Sequence, residues 1–118
     1  MKSTIKSSAD ISLLFSRGKR FSTPFLTVMV LERSEQHDHE SDHGRVAFIA
    51  GKKTGNAVWR NGAKRRMRAI VHDLGGPWPG YDVVFLARAP LLKASYSKVS
   101  TACEKVLAKA GFTKSASR

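Results

Sequence analysis

The order of apolar and polar residues divides segment 59–74 into two faces of one predicted helix. At about 100° per residue, its apolar side chains fall within one narrow stripe. These apolar residues are Trp59, Ala63, Met67, Ile70 and Leu74. The polar residues on the other side are Arg60, Asn61, Lys64, Arg65 and Arg68. Because cations four residues apart on a helix repel each other, this pattern predicts a charged face that lies against a polyanion.

The same kind of pattern predicts five further elements. Helices are indicated by apolar residues three and four apart, and strands by runs of apolar and β-branched residues. In chain order, they are a helix at 8–17, a strand at 25–31 within a β-rich run at 20–31, strands at 45–50 and 81–87, and a helix at 95–110. The strand at 81–87 is almost continuously apolar, so we expect it to be covered on both faces.

This order of elements predicts a compact α/β fold of the α+β sandwich type, with helices packed on a small mixed sheet. The 118 residues suffice for one domain with one core, which we expect to span 1–118. Residues 33–43 are expected to form an exposed loop rich in acidic residues and histidine, and 111–118 a basic tail. If that loop is a simple hairpin connection, the first two predicted strands are antiparallel neighbours.

The charge of the chain limits the classes of partner that it can bind. The formal net charge is +12, from 21 Lys and Arg against 9 Asp and Glu, and segment 52–68 holds seven cations and no acid. Such a field favours nucleic acid or an anionic membrane as partner. No apolar stretch approaches the roughly 20 residues that span a bilayer, and the first ten residues lack a signal-peptide core. We therefore expect a cytoplasmic, soluble protein that binds nucleic acid and no membrane.

Residues that could carry catalysis are sparse. The single cysteine, Cys103, lies on the apolar side of the last predicted helix, so we expect it in the core and not as a nucleophile. The histidines and carboxylates of loop 33–43 lack regular ligand spacing and favour a solvated loop over a metal site. The remaining carboxylates are scattered over different elements. We therefore expect no catalytic residue and no metal ligand in the protein.

Two smaller groups of residues suit contact with single-stranded RNA. Phe15 lies close in sequence to Arg17, a mixture of aromatic and cationic side chains that can stack bases and follow a backbone. Lys52 and Lys53 precede the basic helix, whose free N-terminal amides could hold a phosphate. Their loop, 51–56, does not follow the order of a Walker motif, which argues against nucleotide hydrolysis.

Segment 51–68 (Gly-Lys-Lys-Thr-Gly-Asn-Ala-Val-Trp-Arg-Asn-Gly-Ala-Lys-Arg-Arg-Met-Arg) resembles the signature of the bacterial ribonuclease P protein component. The similarity extends to 14–18 (Leu-Phe-Ser-Arg-Gly) and to 79–84 (Pro-Gly-Tyr-Asp-Val-Val), and in all covers about residues 5–107. The resemblance implies a subunit of an endoribonuclease whose catalysis belongs to a partner RNA. That RNA removes the 5′ leader of precursor tRNA with magnesium ions. No obligate protein partner is inferred.

The resemblance also implies roles for individual residues. The basic helix would bind the catalytic RNA through Arg60, Asn61, Lys64, Arg65 and Arg68. A cleft between the sheet and the first helix would receive phosphates and bases of the leader. The residues that match this cleft are Phe15, Ile11 and Met29. Lys52, Lys53 and Arg17 are the other residues expected to bind phosphates or the leader. The family fold further implies a left-handed βαβ crossover around the basic helix, an exception to the usual right-handed rule.

The chain departs from the family pattern at several positions. Gly62 stands where the family usually has arginine, and glycine costs a helix about 0.5 to 1 kcal/mol relative to alanine. Arg66 is the candidate to compensate for the missing cation. Ile11 and Met29 stand where aromatic residues are frequent, and Gly51 where serine is common.

Two alternatives stay open at this point. One is a general RNA-binding or ribosome-associated module without a role in tRNA processing. The other is a protein-only endonuclease, which would cleave without an RNA partner.

Overall fold

The computed structural model describes residues 8–32 and 44–110. Within these ranges the chain forms three α-helices, four strands and one short 3-10 helix. They are α1 (Ser8–Arg17), β1 (Lys19–Ser22), β2 (Leu26–Glu32), β3 (Arg45–Ile49), α2 (Ala57–Asp73), β4 (Tyr81–Ala87), the 3-10 helix (Ala89–Leu92) and α3 (Tyr96–Ala110). The predicted loop 33–43 and tail 111–118 lie outside the described residues.

The four strands form one mixed sheet in the order β1-β2-β4-β3. Strand β2 is antiparallel to both β1 and β4, whereas β3 is parallel to β4. Because β3 and β4 are parallel neighbours, helix α2 is the crossover between them. The predicted fold class, a small mixed sheet with packed helices, is confirmed. The handedness of the crossover stays a prediction.

The predicted hairpin between β2 and β3 is wrong. The two strands do run in opposite directions, but β4 lies between them and pairs with both. Five of the seven β4 residues are buried, as is typical of an apolar strand that is covered on both faces. The long connection from β2 to β3 leaves room for this arrangement.

The β-rich run at 20–31 proves to be two strands. The turn between β1 and β2 is built on Thr23, whose hydroxyl accepts hydrogen bonds from the backbone N–H groups of Phe25 and Leu26 and donates one to the Leu26 carbonyl. Serine and threonine hydroxyls commonly form such turns, although weakly. Pro24, inside this turn, is the signal in the sequence that the prediction overlooked.

The sheet is covered on both faces. Helices α2 and α3 pack on one face and bury most of the core, while α1 packs on the other face with a smaller cluster. The smaller cluster is centred on Leu14, Met29, Ala47 and Val84. Cys103 is fully buried on α3, as predicted, and burial raises the pKa of its thiol to about 12. It is therefore a core residue.

Helix α2 begins two residues earlier than predicted. The Asn56 side chain accepts a hydrogen bond from the Trp59 backbone N–H at 2.8 Å and caps the helix. The predicted apolar stripe faces the core, where Ala63, Met67 and Ile70 are buried. Trp59 is only partly buried, since its side chain lies over the start of the helix against Gly55.

The β3 and β4 strands are also joined by an ion pair. Arg45 donates two hydrogen bonds to Asp82, with Nε 3.1 Å from Oδ1 and Nη2 2.8 Å from Oδ2. The Asp82 side chain is 4% exposed. A bidentate pair of this kind satisfies the only acidic side chain on β4 and fixes the register of the two strands.

Gly62 lies on the side of α2 that faces the 3-10 helix. A Cβ atom at this position would be 3.2 Å from Cδ1 of Leu92, a close but movable contact. One turn further on, Arg66 donates from Nη1 to the Ala94 carbonyl at 2.7 Å and to the Leu91 carbonyl at 3.3 Å. Arg66 therefore holds the chain between the 3-10 helix and α3 and does not replace the cation missing at Gly62.

We expect Gly62→Ala to stabilise the protein by about 0.5 kcal/mol. Alanine restricts the unfolded chain and favours the helix, while the half-buried Leu92 side chain can move by the few tenths of an ångström that the new methyl needs. Urea unfolding should show a higher midpoint at an unchanged slope.

Gly18→Ala is the matched control for this substitution. A Cβ atom there would lie 2.7 Å from the Leu14 carbonyl oxygen and 3.0 Å from that of Val30, and these backbone atoms cannot give way. We expect a clear loss of stability. A Gly62→Ala protein that is destabilised to the same degree would show that the α2 contact with the 3-10 helix is rigid.

Candidate nucleic-acid interface

The predicted RNA-binding residues of α2 lie together on the solvent side of the helix. We call this set, Arg60, Asn61, Lys64, Arg65 and Arg68, the α2 cationic flank. Asn61, Arg65 and Arg68 are exposed, whereas Arg60 and Lys64 are half-buried at the border of the core. Their order follows from the helical period, because the buried residues Ala63, Met67 and Ile70 occupy the opposite side.

In the described part of the chain, the cations of this flank have no acidic partner on α2 itself. Helix α2 has no acid in its first turn, and its one carboxylate is Asp73 in the last turn. Within residues 8–32 and 44–110, no ion pair involves Arg60, Lys64 or Arg65. Arg68 lies over the ring of Phe48 on β3, with Cζ 5.5 Å from the ring centroid. This cation–π contact directs one arginine of the flank towards the β3 edge of the sheet.

Val58 is a surface residue that sequence reasoning missed. Its side chain is 79% exposed at the start of α2, at a helical angle close to that of Arg65. Exposed apolar groups among cations suit contact with ribose or a base edge better than contact with water alone. The helical wheel carried the signal, since Val58 falls outside the apolar stripe.

Lys52 and Lys53 are exposed in the turn between β3 and α2. The turn is closed by a hydrogen bond from the Thr54 N–H to the Gly51 carbonyl at 3.0 Å. Because the turn follows the last residue of β3 and precedes the cap of α2, both lysines stand at the N-terminal end of the cationic flank. The helix dipole adds to their positive field at this point.

The other predicted surface lies around α1. Phe15 is 46% exposed, while its neighbour Leu14 is fully buried against the sheet. Ile11 is half-buried at the border of the α1 cluster, and Arg17 is exposed at the end of the helix. Phe15, Ile11 and Arg17 therefore form an accessible surface of aromatic, apolar and cationic character.

Met29 occupies a different place from the one predicted. It is 1% exposed and forms part of the core beneath α1, so it cannot contact a ligand from its present position. Arg20, on the neighbouring strand β1, lies above it with Nη2 3.9 Å from the methionine sulfur. The exposed cation at this point of the sheet is Arg20, which the prediction from sequence did not include in the leader site. Arg20 lies opposite Met29 in the β1–β2 register. This register is a long-range pairing that the sequence alone does not give.

Two titratable side chains outside the proposed surfaces, Asp73 and Tyr96, join α2 to α3. Asp73, at the end of α2, accepts a hydrogen bond from the Tyr96 hydroxyl at the start of α3. That hydrogen bond is the main reason why the pKa of Tyr96 is raised to about 12. Among residues 8–32 and 44–110, no three His, Cys, Asp or Glu side chains are grouped to hold a metal ion. In the same ranges, no helix is long and apolar enough to cross a membrane.

The sequence of the chain matches one known protein family. The family model described as ribonuclease P matches residues 1–111. A ribonuclease P protein component of Syntrophomonas wolfei is 35% identical over 111 residues, which cover 93% of this chain and 88% of the relative. A second, from Streptococcus agalactiae, is 34% identical over 113 residues and covers 94% of this chain and 98% of the relative.

Solved structures agree with the sequence comparison. The ribonuclease P protein of Staphylococcus aureus has a TM-score of 0.79 at 26% identity, covering 96% of this chain and 99% of that one. For the protein of Thermotoga maritima, the fold alone is shared, with a TM-score of 0.72 at 23% identity. The family match, the identity to curated relatives and the shared fold lead to one conclusion. The chain belongs to the ribonuclease P protein family.

Proposed function

We propose that this chain, as the protein subunit of ribonuclease P, binds the catalytic RNA through the α2 cationic flank and the 5′ leader of precursor tRNA through the α1 surface. Its role is to orient both RNAs and to screen the repulsion between their phosphates. Cleavage of the leader, which matures the tRNA 5′ end, is assigned to the RNA. The observation that carries the proposal is a helical row of cations that, among residues 8–32 and 44–110, forms no ion pair with an acid and is anchored on the core by its opposite face.

The rigid attachment of α2 supports the first contact. A flexible basic segment would lose conformational entropy when it orders on RNA, whereas α2 already holds its side chains in register through Ala63, Met67 and Ile70. Cations at i and i+4 repel in the free protein, and a polyanion relieves this repulsion. Phosphate binding is therefore favoured both by the small loss of conformational entropy and by the relief of this repulsion.

The α1 surface supports the second contact. A half-exposed phenylalanine beside arginine is the combination that binds single strands, because every base has a face that can stack and every nucleotide has a phosphate. Arg20 extends this surface from α1 onto the sheet. We include Arg20 in the proposed leader site and assign Met29 to its floor.

Magnesium enters the proposal only with the RNA, as the family resemblance implies. The proposed binding surfaces are cationic, so their side chains bind phosphates and do not coordinate metal ions. The cytoplasm is the proposed location, because the precursor tRNA substrates of such a subunit are made there. A general RNA-binding module without tRNA processing is not favoured by the family match.

Reconstitution tests the proposal directly. With its cognate catalytic RNA at low magnesium, the protein should accelerate leader removal from precursor tRNA, because it supplies phosphate screening that magnesium otherwise provides. Polylysine at the same charge concentration controls for unspecific screening and should accelerate less. Magnesium-dependent cleavage by the RNA-free protein would contradict the proposal.

The double variant Lys64→Gln/Arg68→Gln should weaken binding to the catalytic RNA. It should also lower the slope of log affinity against log salt by about 0.7 to 0.9 for each lost phosphate contact. Filter binding across a salt series measures both. The control is Lys105→Gln/Lys109→Gln, which removes two exposed cations at the same spacing from α3. Equal slopes for the two variants would mean that the flank is an ordinary solvated surface.

Phe15→Leu should weaken binding of precursor tRNA by the assembled particle. Stacking of one base on an aromatic ring is worth about 1 to 3 kcal/mol, so the loss should be at least several-fold. Mature tRNA, which lacks the leader, is the control substrate and should bind as before. A similar loss for both substrates would place Phe15 outside the leader site.

A further inference from the structure

A depression between the 3-10 helix, α3 and the β1–β2 turn belongs to neither proposed surface. It is open to solvent and has a volume of about 450 Å³, within the range of roughly 300 to 1,000 Å³ that is common for ligand sites. Its lining residues are Phe25, Pro90, Lys93, Ala94, Ser95 and Lys98. The depression is therefore large enough for a nucleotide.

The lining combines one aromatic side chain with two cations. Phe25 is half-buried and packs on the core, and its carbonyl accepts a hydrogen bond from the Arg88 N–H at 3.0 Å, so its position is fixed. Lys93 and Lys98 are exposed, and no carboxylate lines the depression. This is the chemistry that binds a single-stranded nucleotide, with a ring for the base and ammonium groups for the phosphates.

Two backbone amides at the start of α3 are already hydrogen-bonded within the protein. Ser95 accepts a hydrogen bond from the Lys98 N–H through its hydroxyl, and another from the Val99 N–H through its carbonyl. These amides are already used by the cap. The charge of a bound phosphate would therefore be met by the two lysine side chains.

The depression adjoins α2 through direct contacts. Arg66 donates to the carbonyl of Ala94, which lines the depression, and position 62 faces Leu92, which precedes Lys93. An RNA strand on the α2 cationic flank can thus continue across the 3-10 helix into the depression. The α1 surface lies on the other face of the sheet, so leader bound there is separated from it by the sheet itself.

We propose that this depression binds one unpaired nucleotide of the catalytic RNA, with the base against Phe25 and the flanking phosphates on Lys93 and Lys98. The proposal rests on the function proposed above, since it assumes that α2 lies on that RNA. It adds a second contact point that fixes the RNA strand across the helix as well as along it.

The test compares two kinds of variant in binding of the full-length protein to the cognate catalytic RNA. Lys93→Gln/Lys98→Gln should lower the salt slope by about 0.7 per lost phosphate contact, and affinity by about 5-fold per contact at 0.1 M salt. Phe25→Leu should lower affinity about 5-fold or more at an unchanged slope, because stacking is not ionic. A nucleotide pocket requires both results: a lower salt slope when the lysines are replaced, and a lower affinity at an unchanged slope when Phe25 is replaced.

Matched controls separate this pocket from general effects. Lys105→Gln/Lys109→Gln removes the same charge from α3, the helix that carries Lys98, and Phe21→Leu trims another half-buried phenylalanine of the same core. Both should bind the catalytic RNA nearly as the parent protein does. Thermal unfolding of each variant confirms that the fold is retained.

The outcomes distinguish this proposal from the function on which it rests. If Lys93→Gln/Lys98→Gln matches its control while Lys64→Gln/Arg68→Gln loses affinity, the pocket proposal fails and the α2 interface stands. If the α2 variant also matches its control, the proposed function fails. A loss in precursor tRNA binding alone would assign the pocket to a different RNA and overturn the occupant proposed here.

Discussion

The inner position of β4 is the constraint on which the rest of the structure depends. This strand is hydrogen-bonded on both edges, and both of its faces are buried. Because β3 joins it in parallel, the chain must cross the sheet between them, and α2 is that crossing. The apolar side of α2 is buried in the core on one face of the sheet. Its cations are consequently displayed on a rigid element whose position is set by long-range pairing.

The arginines divide into those that build the fold and those that are available for RNA. Arg45 is held by Asp82, Arg66 by two backbone carbonyls, and Arg88 donates to the Thr23 carbonyl. Each replaces water around its guanidinium with fixed acceptors, and hydrogen bonds to charged groups contribute more than neutral ones. The net charge of the chain therefore overstates the charge that RNA can meet. The α2 flank differs from these three arginines because, among the described residues, Arg60, Lys64 and Arg65 are held neither by a carboxylate nor by a carbonyl.

The sequence predicts local features well and long-range ones poorly. The core face of α2 and the burial of Cys103 follow from helical period, which is a property of neighbouring residues. The order of the strands depends on which apolar runs find partners, so β4 between β2 and β3 was not foreseen. For the sites, Phe15 and the flank residues lie on accessible surfaces because their exposure is also periodic. Met29 was misplaced, since a single sequence does not tell which strand face α1 covers.

Gly62 shows how one substitution can change the shape of an interface as well as its charge. The position faces Leu92 and not open solvent, so a long side chain there must leave along the groove between α2 and the 3-10 helix. Even a Cβ atom at position 62 would lie 3.2 Å from Cδ1 of Leu92, so glycine lets α2 pack closely on the 3-10 helix. A helix that lacks a cation at this point offers RNA one phosphate contact fewer. In the proposed interface, glycine therefore exchanges a charge for close contact between α2 and the 3-10 helix.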